Sequence, residues 1–256
     1  MIRIKDYEQL KIRIVNWLKD YYFKNDLRGL VVGVSGGIDS AVVSTLCAET
    51  GLPTHLLTMP LHSKKGNTEL SNEHCFNLVM NYDNVSHSSV NLSKTYDTMI
   101  NEIYDGHKFN ESELSNANTK SRLRMATLYQ AAGCLGGIVV GTGNKVEDYG
   151  VGFFTKYGDG GVDIAPIADL YKSEVWELGE YLGVDQRIVD AKPTDGLWDD
   201  DRTDEDQIGA TYEELEEAME NGRGPAVKIL KKFKKQNKHK MKPIPTFKLR
   251  KKFWLI

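Results

Sequence analysis

The 256-residue sequence predicts an α/β fold, a parallel β-sheet with helices on both faces, extended at its C-terminus by a helical decoration. Three observations carry that prediction. Short apolar runs, GLVVGV at 29–34, THLLTMP at 54–60 and GGIVVGTG at 136–143, alternate with longer segments whose apolar residues recur at helical spacing. Such alternation calls for right-handed crossovers, and hence for a parallel sheet covered on both faces. Glycine and proline punctuate the boundaries, and 40% apolar against 27% charged residues is the composition of a chain that closes a core without disulfides or a structural metal.

Along residues 8–23, Leu10, Ile14, Trp17, Leu18, Tyr21 and Tyr22 line one stripe of a leading amphipathic helix. LRGLVVGV then reads as a buried strand, and SGGIDSAVVSTLCAET turns sharply on two glycines into a second helix that Gly51 and Pro53 end. THLLTMP is the second strand. The polar loop LHSKKGN precedes a helix over 68–81, NVSHSSV is the third strand, helices follow over 92–104 and 111–134, and GGIVVGTG is the fourth strand. Residues 144–166, dense in Gly, Lys, Asp and aromatics, show no clean period, and an irregular stretch of that length is more often functional than idle. Helices resume over 172–182, pause through the polar segment 190–207, and return over 212–220 and 225–238. No repeat appears, and the chain reads as one domain, 1–256.

Every apolar run falls far short of the roughly 20 residues of a membrane span, and the N-terminus, MIRIKDYEQLK, lacks a signal core. A cytoplasmic location with no membrane partner is expected. Cys47, Cys75 and Cys134, odd in number and without CxxC spacing, read as buried, reduced thiols, and the six histidines show no zinc-binding pair. Charge is uneven: residues 195–220 hold twelve acids and one base, and residues 222–256 hold thirteen bases and no acid. Ile229, Leu230 and Phe233 fall at helical spacing in that tail, so it reads as an amphipathic helix with a solvated basic face and not as a nucleic-acid patch.

The chemistry sits first in GVSGGIDS: Gly33, Val34, Ser35, Gly36, Gly37, Ile38, Asp39 and Ser40. The segment leaves a predicted strand and opens a helix, so its backbone N–H groups and the positive helix end surround an anion. Gly36 and Gly37 permit the tight turn and the close approach of backbone to phosphate, while Ser35 and Ser40 add hydroxyl donors. Asp39 beside a phosphate makes physical sense with Mg²⁺ between them. The GxxxxGK[ST] and GxGxxG patterns are both absent here.

SGGxDS resembles the pyrophosphate-binding loop of the ATP pyrophosphatases, which adenylate a substrate and release pyrophosphate. Residues 141–170, GTGNKVEDYGVGFFTKYGDGGVDIAPIADL, resemble the NAD synthetases, above all in GFFTKYGDGG. The likeness extends back through NTKSRLRM at 118–125 and forward to KPTDGLW at 192–198 and the pair His239 and Lys240, so it covers most of 29–240. It implies the Rossmann-like, adenine nucleotide alpha hydrolase-like version of the fold, with ATP, deamido-NAD and ammonia as substrates and Mg²⁺ as cofactor. It also implies a homodimer with the substrate site at the interface. An RNA-modifying relative, or a non-catalytic nucleotide-binding module, accounts for the cradle but not for GFFTKYGDGG.

The resemblance assigns roles residue by residue. Glu147 joins Asp39 at the metal, with Asp148 as the alternative, because Glu147 stands five residues before Gly152 where many relatives have four. Thr142, Lys172 and Thr194 match ATP contacts, the lysine as a cation for the triphosphate. Lys156 and Asp163 match positions that hold the dinucleotide, His239 and Lys240 match a C-terminal substrate contact, and Arg122 matches a residue that reaches the dinucleotide of the neighbouring subunit. Lys120 and Arg124, four apart, share a helix face from which Arg122 points away. Phe153, Phe154 and Tyr157 stack on the nicotinate ring or pack in the core.

The reaction so implied is a two-step amidation. The nicotinate carboxylate attacks the α-phosphorus of ATP, and ammonia then displaces AMP from the acyl adenylate. Asp159 is the candidate to bind ammonium and accept its proton, with a plain turn aspartate as the alternative. The loops 62–67 and 194–207 are candidate lids over the adenylate. Free ammonia is the expected nitrogen donor, since about 30 residues precede the cradle strand whereas glutamine-dependent relatives attach an amidase domain there, with delivery by a separate glutaminase subunit as the alternative.

Overall fold

A computed structural model describes residues 3–63, 65–106, 109–194, 196–198, 200 and 202–248. Four strands, β1 (Leu30–Gly33), β2 (Thr54–Thr58), β3 (Val85–Ser89) and β4 (Ile138–Val140), form one wholly parallel sheet in the order β3-β2-β1-β4. Their register sets Val32 against Leu56 on one side and Val140 on the other. Helices α2 (Ile38–Glu49) and α3 (Lys65–Asn81) make the crossovers to β2 and β3, and α4 (Ser93–Tyr104) and α5 (Glu113–Leu135) lead to β4.

The two-residue repeat of a strand explains why these runs are apolar throughout. Val32 and Leu30 face a core shared with α1 (Tyr7–Lys24), α2, α3, α6 (Lys172–Tyr181) and the short α7 (Gln186–Val189), where Leu18, Leu46 and Leu178 are fully buried. Val31 and Val139 face the opposite side, where Leu92, Tyr96 and Ala132 come from α4, α5 and the chain just before α4. In α1 the buried stripe is Ile14, Val15, Leu18 and Tyr22, whereas Trp17, expected on it, is exposed. Cys47 and Cys75 are buried, which raises both thiols to about 12, but Cys134 near the end of α5 is exposed, against expectation.

Two elements escaped the 3.6-residue reading. Residues 145–151, taken as irregular, form a π-helix (Lys145–Val151) whose wider turn matches neither helical nor strand periodicity. Within the polar segment 190–207 lies a short helix, α8 (Asp204–Ile208), started by a Thr203–Asp206 capping box. It precedes α9 (Tyr212–Asn221) and α10 (Val227–Asn237). Together they bury Ile208, Tyr212, Leu215 and Leu230 against Val146 and Val151 of the π-helix. Ile229 and Phe233 are half-buried in that cluster, so α10 is the amphipathic helix expected of the basic tail.

The strand order reverses at β1, with β2 on one side and β4 on the other. Crevices at such a point, beyond the carboxyl ends of the strands, are where open α/β sheets bind ligands. The cradle leaves β1 there, and residues 141–144 leave β4 beside it. No helix among the described residues is long and apolar enough to cross a membrane.

Ser44 of α2 and His74 of α3 join these crossovers inside the core by a 2.9 Å hydrogen bond. Burial depresses the imidazole pKa to about 4, against an ordinary 6.5. The unfolded chain therefore takes up a proton between those values that the folded chain refuses, so stability is complete above pH 6.5 and falls as pH drops toward 4. His74→Gln should flatten that fall, read as the difference in urea midpoint between pH 7 and pH 5; an unchanged difference would refute the assignment.

Candidate active site

The cradle is held by its own serines. Ser40 Oγ donates to the Gly37 carbonyl at 3.0 Å and accepts from the Ser35 N–H at 3.1 Å, while Gly37 N–H donates to Ser35 Oγ at 3.2 Å. Gly36 has φ of 90°, a left-handed conformation that glycine adopts without strain. The first helical bond of α2 runs from Ala41 N–H to the Gly37 carbonyl, so the amides of Ile38, Asp39 and Ser40 precede the helical ladder. They make the positive end of α2 a site for phosphate.

Three residues far apart in sequence meet behind this turn. Asp39 comes from the first turn of α2, Glu147 from the π-helix, and Lys172 is the first residue of α6. The Lys172 ammonium, only 2% exposed, donates to Asp39 Oδ2 and, at 3.0 Å, to Glu147 Oε1. Asn144, fully buried, ties the two acids together: its amide donates to Asp39 Oδ1 at 3.2 Å, and its carbonyl accepts from the Val146 and Glu147 N–H groups, capping the π-helix. Tyr212 of α9 donates its hydroxyl to Glu147 Oε1 at 2.7 Å, and the Lys172 ammonium lies 5.1 Å from the centre of its ring.

Burial alone pushes both carboxyls up and the ammonium down. For Glu147, Lys172 and the Tyr212 hydroxyl outweigh burial and hold the acid below its usual range. Asp39 stays above it, raised by burial and by the Glu147 charge against the pull of Lys172. The pair of carboxylates outweighs burial at Lys172, whose pKa rises, so the lysine is firmly charged. Burial and the Glu147 charge drive the Tyr212 hydroxyl upward, which keeps it a donor.

The π-helix also accounts for the unusual spacing. Gly152 N–H bonds to the Glu147 carbonyl, a five-residue closure, so the added residue widens the turn and leaves Glu147 on Lys172. Glu147, not Asp148, thus shares the Lys172 ammonium with Asp39. Asp148 turns toward the loop after β4, where a Cβ on Gly143 would fall 2.1 Å from its Oδ2. Burial, then the charges of Glu147, Asp159 and Asp39, raise its carboxyl to about 8, with Lys240 opposing.

Asp159 is held by the helix that NTKSRLRM predicted. Its Oδ1 accepts from Ser121 Oγ at 2.7 Å and from Thr155 N–H at 2.9 Å, and burial raises its pKa. Lys240 reaches the same region, donating to the Phe154 carbonyl with its ammonium 4.8 Å from the Phe154 ring centre; burial lowers its pKa. His239 beside it is exposed, lining a surface groove with Lys235 and Lys242. Arg122 is exposed and donates to the Lys156 carbonyl at 3.3 Å, whereas Lys120 reaches the Leu197 carbonyl and Arg124 the Met59 carbonyl, a division the helical spacing anticipated. The Lys156 ammonium lies 5.1 Å from the Tyr157 ring centre.

Other expected ligand contacts have structural partners. Asp163 accepts from Val139 N–H at 2.8 Å and from the Tyr129 hydroxyl at 3.0 Å, continuing the hydrogen bonding of β4. Thr194 is exposed and directs its hydroxyl to the Arg202 carbonyl at 3.3 Å within its own loop. Thr142 is half-buried just past β4. Of the two candidate lids, Lys64 in one and Asp195, Asp199 and Asp201 in the other lie outside the described residues. Sequence reasoning missed Asn144, Ser121 and Tyr212, since a polar residue acting through another side chain carries no motif of its own; the capping position of Asn144 two residues before Val146 was the one available signal.

Among the described residues no three His, Cys, Asp or Glu side chains form a metal cage. Asp39 and Glu147 nevertheless suit a hard divalent cation whose remaining ligands are phosphate oxygens and water, because two oxygen donors converge on one positive charge at the cradle.

A phosphate-binding turn at the switch point, with an acid pair behind it, defines the ATP pyrophosphatase class of α/β enzymes. Within that class the chain belongs to the NAD synthase family, whose model matches residues 10–253. It is 38% identical over 243 residues to the NH₃-dependent NAD⁺ synthetase of Carboxydothermus hydrogenoformans, covering 94% of this chain and 97% of that one. The corresponding protein of Alkaliphilus metalliredigens is 37% identical, covering 91% and 96%. Among solved structures, NMN synthetase from Francisella tularensis superposes with a TM-score of 0.86 at 34% identity, covering 96% of this chain and all of that one. NH₃-dependent NAD synthetase from Campylobacter jejuni gives a TM-score of 0.76 at 27% identity, covering 96% of this chain and 100% of that one.

The raised carboxyl of Asp148 has a measurable consequence. The folded chain retains a proton between pH 3.8 and about 8 that the unfolded chain has lost, so stability falls as pH rises through that window. Asp148→Asn should lessen the fall in urea midpoint between pH 6 and pH 9, measured without nucleotide or metal; a slope equal to that of the parent chain would refute the placement.

Proposed function

We propose that this chain is a C–N ligase that converts deamido-NAD to NAD with ATP and ammonia, releasing AMP and pyrophosphate. The observation that carries the reading is the convergence of Asp39 and Glu147 on one ammonium directly behind a phosphate cradle, in a chain that matches its NH₃-dependent relatives over nearly their whole length. That full-length match also favours free ammonia as the nitrogen donor.

In the first step a carboxylate oxygen of the nicotinate attacks the α-phosphorus, the bond from α-phosphorus to the bridging oxygen breaks, and that oxygen's electrons leave with pyrophosphate. The amides of residues 38–40 face the charge that accumulates there, already oriented before reaction. Asp39 and Glu147 would hold Mg²⁺, which when bound supplies charge neutralisation to the phosphates. Lys172, released from between the two acids, turns its ammonium to the same phosphates. Ser35, Gly37 and Ser40 keep the cradle in place through their mutual bonds.

In the second step the nitrogen lone pair attacks the activated carbonyl and AMP departs. Asp159, with its raised pKa, binds ammonium and accepts its proton, and Ser121 and Thr155 fix the carboxylate from behind. Arg122, exposed on α5, serves the dinucleotide of a second subunit in a homodimer, while Lys156, Asp163, Lys240 and His239 line the approach on their own subunit. Thr142 and Thr194 contact ATP. The cytoplasm, which supplies ATP and keeps thiols such as Cys134 reduced, is the expected setting.

One observation favours a second acceptor: the neighbour with a TM-score of 0.86 is described as an NMN synthetase. The same chemistry on nicotinate mononucleotide yields NMN, since the activated carboxylate is the same.

Incubation with ATP, Mg²⁺ and an ammonium salt, with deamido-NAD or nicotinate mononucleotide in parallel, should yield NAD and AMP in equal amounts from the dinucleotide. Faster NMN formation would reassign the acceptor, and absence of AMP with both would overturn the reading. Asp39→Asn should lower AMP formation by about 100-fold or more with circular dichroism unchanged; retained turnover would overturn the metal assignment.

A further inference from the structure

Glu147 needs an orientation as well as a position, and its two oxygens have different surroundings. Oε1 accepts from both Lys172 and Tyr212, at 3.0 and 2.7 Å, and the Asn144 side chain also stabilises the carboxylate, so Tyr212 shares its acceptor with the lysine. Tyr212 is itself rigidly placed. It opens α9, its N–H donates to Glu205 Oε1 at 2.8 Å, its ring meets Trp176 edge-on with centres 5.8 Å apart, and it is 2% exposed. Lys172 is the opposite case, a flexible side chain with a competing partner in Asp39. When Lys172 turns away, Tyr212 is the donor that keeps Glu147 aimed.

We propose that Tyr212 is a positioning residue which, through its hydroxyl on Oε1, holds the Glu147 carboxylate where it would serve the divalent cation. The proposal rests on the reading that Asp39 and Glu147 hold that cation. Its basis is general: hydrogen bonds to metal-ligating carboxylates set their orientation, and their removal typically costs 10–100-fold in metal affinity or activity. It also gives the C-terminal helices a duty at the site, because α9 enters the site through this residue.

The test uses Mn²⁺ as the probe, titrated by electron paramagnetic resonance into the full chain with an ATP analogue that cannot be cleaved between its α- and β-phosphates. Tyr212→Phe should weaken Mn²⁺ binding about 10-fold or more and raise the Mg²⁺ concentration needed for half-maximal turnover, with the KM for deamido-NAD unchanged. Leu230→Ala disturbs the same apolar cluster from α10 and should leave Mn²⁺ binding as it was. Tyr212→Phe added to Glu147→Gln should weaken binding no further than Glu147→Gln alone. Mn²⁺ affinity within about twofold of the parent chain in Tyr212→Phe, while Glu147→Gln loses it, would overturn the role of Tyr212 alone. If Glu147→Gln also binds normally, the metal assignment falls with it. Equal losses in Tyr212→Phe and Leu230→Ala would reduce Tyr212 to packing and overturn the proposal.

Discussion

The site depends on one buried ammonium. Lys172 sits where α6 begins, shielded from water, and lies between carboxylates supplied by α2 and by the π-helix. Removing three charges from water is costly, and the cost is offset only when geometry and hydrogen bonding are nearly complete. Here Asn144 donates to the Asp39 oxygen that the lysine leaves open, and Tyr212 adds a second donor to the Glu147 oxygen that the lysine meets. Three segments, the first more than a hundred residues ahead of the other two, are thereby held in register, and the cradle of α2 is fixed relative to the loop after β4.

The same constraint explains the helical decoration. Helices α8 to α10 add nothing to the sheet, yet Leu215, Ile208 and Leu230 share an apolar cluster with Val146 and Val151 of the π-helix. A π-helix has poorer bonding geometry than an α-helix and persists where its surroundings hold it. Val146 and Val151 supply the apolar anchor for that support, and Asn237 adds a hydrogen bond to the Val151 carbonyl at 2.8 Å.

What could be read from the sequence follows the physics of each element. The strands and the long helices were legible because burial on both sheet faces demands runs such as LVVG, and amphipathic burial demands stripes such as Ile14, Leu18 and Tyr22. The turn into α2 was legible because two adjacent glycines between an apolar run and a helical stripe mark a sharp change of backbone direction. Lys172 was legible as a cation, though its partners in this structure are the two acids and not phosphate. The π-helix was not legible, because its period lies outside both templates. Tyr212 was not legible either, because a tyrosine at the start of an acidic helix reads as packing until the carboxylate beneath it is seen. Asp163 shows the converse, with a motif position whose carboxylate is engaged by β4 and Tyr129.

The five-residue closure at Glu147 has a bearing on how such chains diverge. In an ordinary helix an inserted residue rotates everything beyond it by about 100°, which here would carry either the acid or the GFFTKYGDGG loop out of phase. A change of helix type absorbs the length difference locally, so both flanks keep their orientation while the contour grows by one. In this chain the wider turn sets the acid against the ammonium while the glycine that closes it, left-handed at φ 66°, redirects the backbone into the loop beyond.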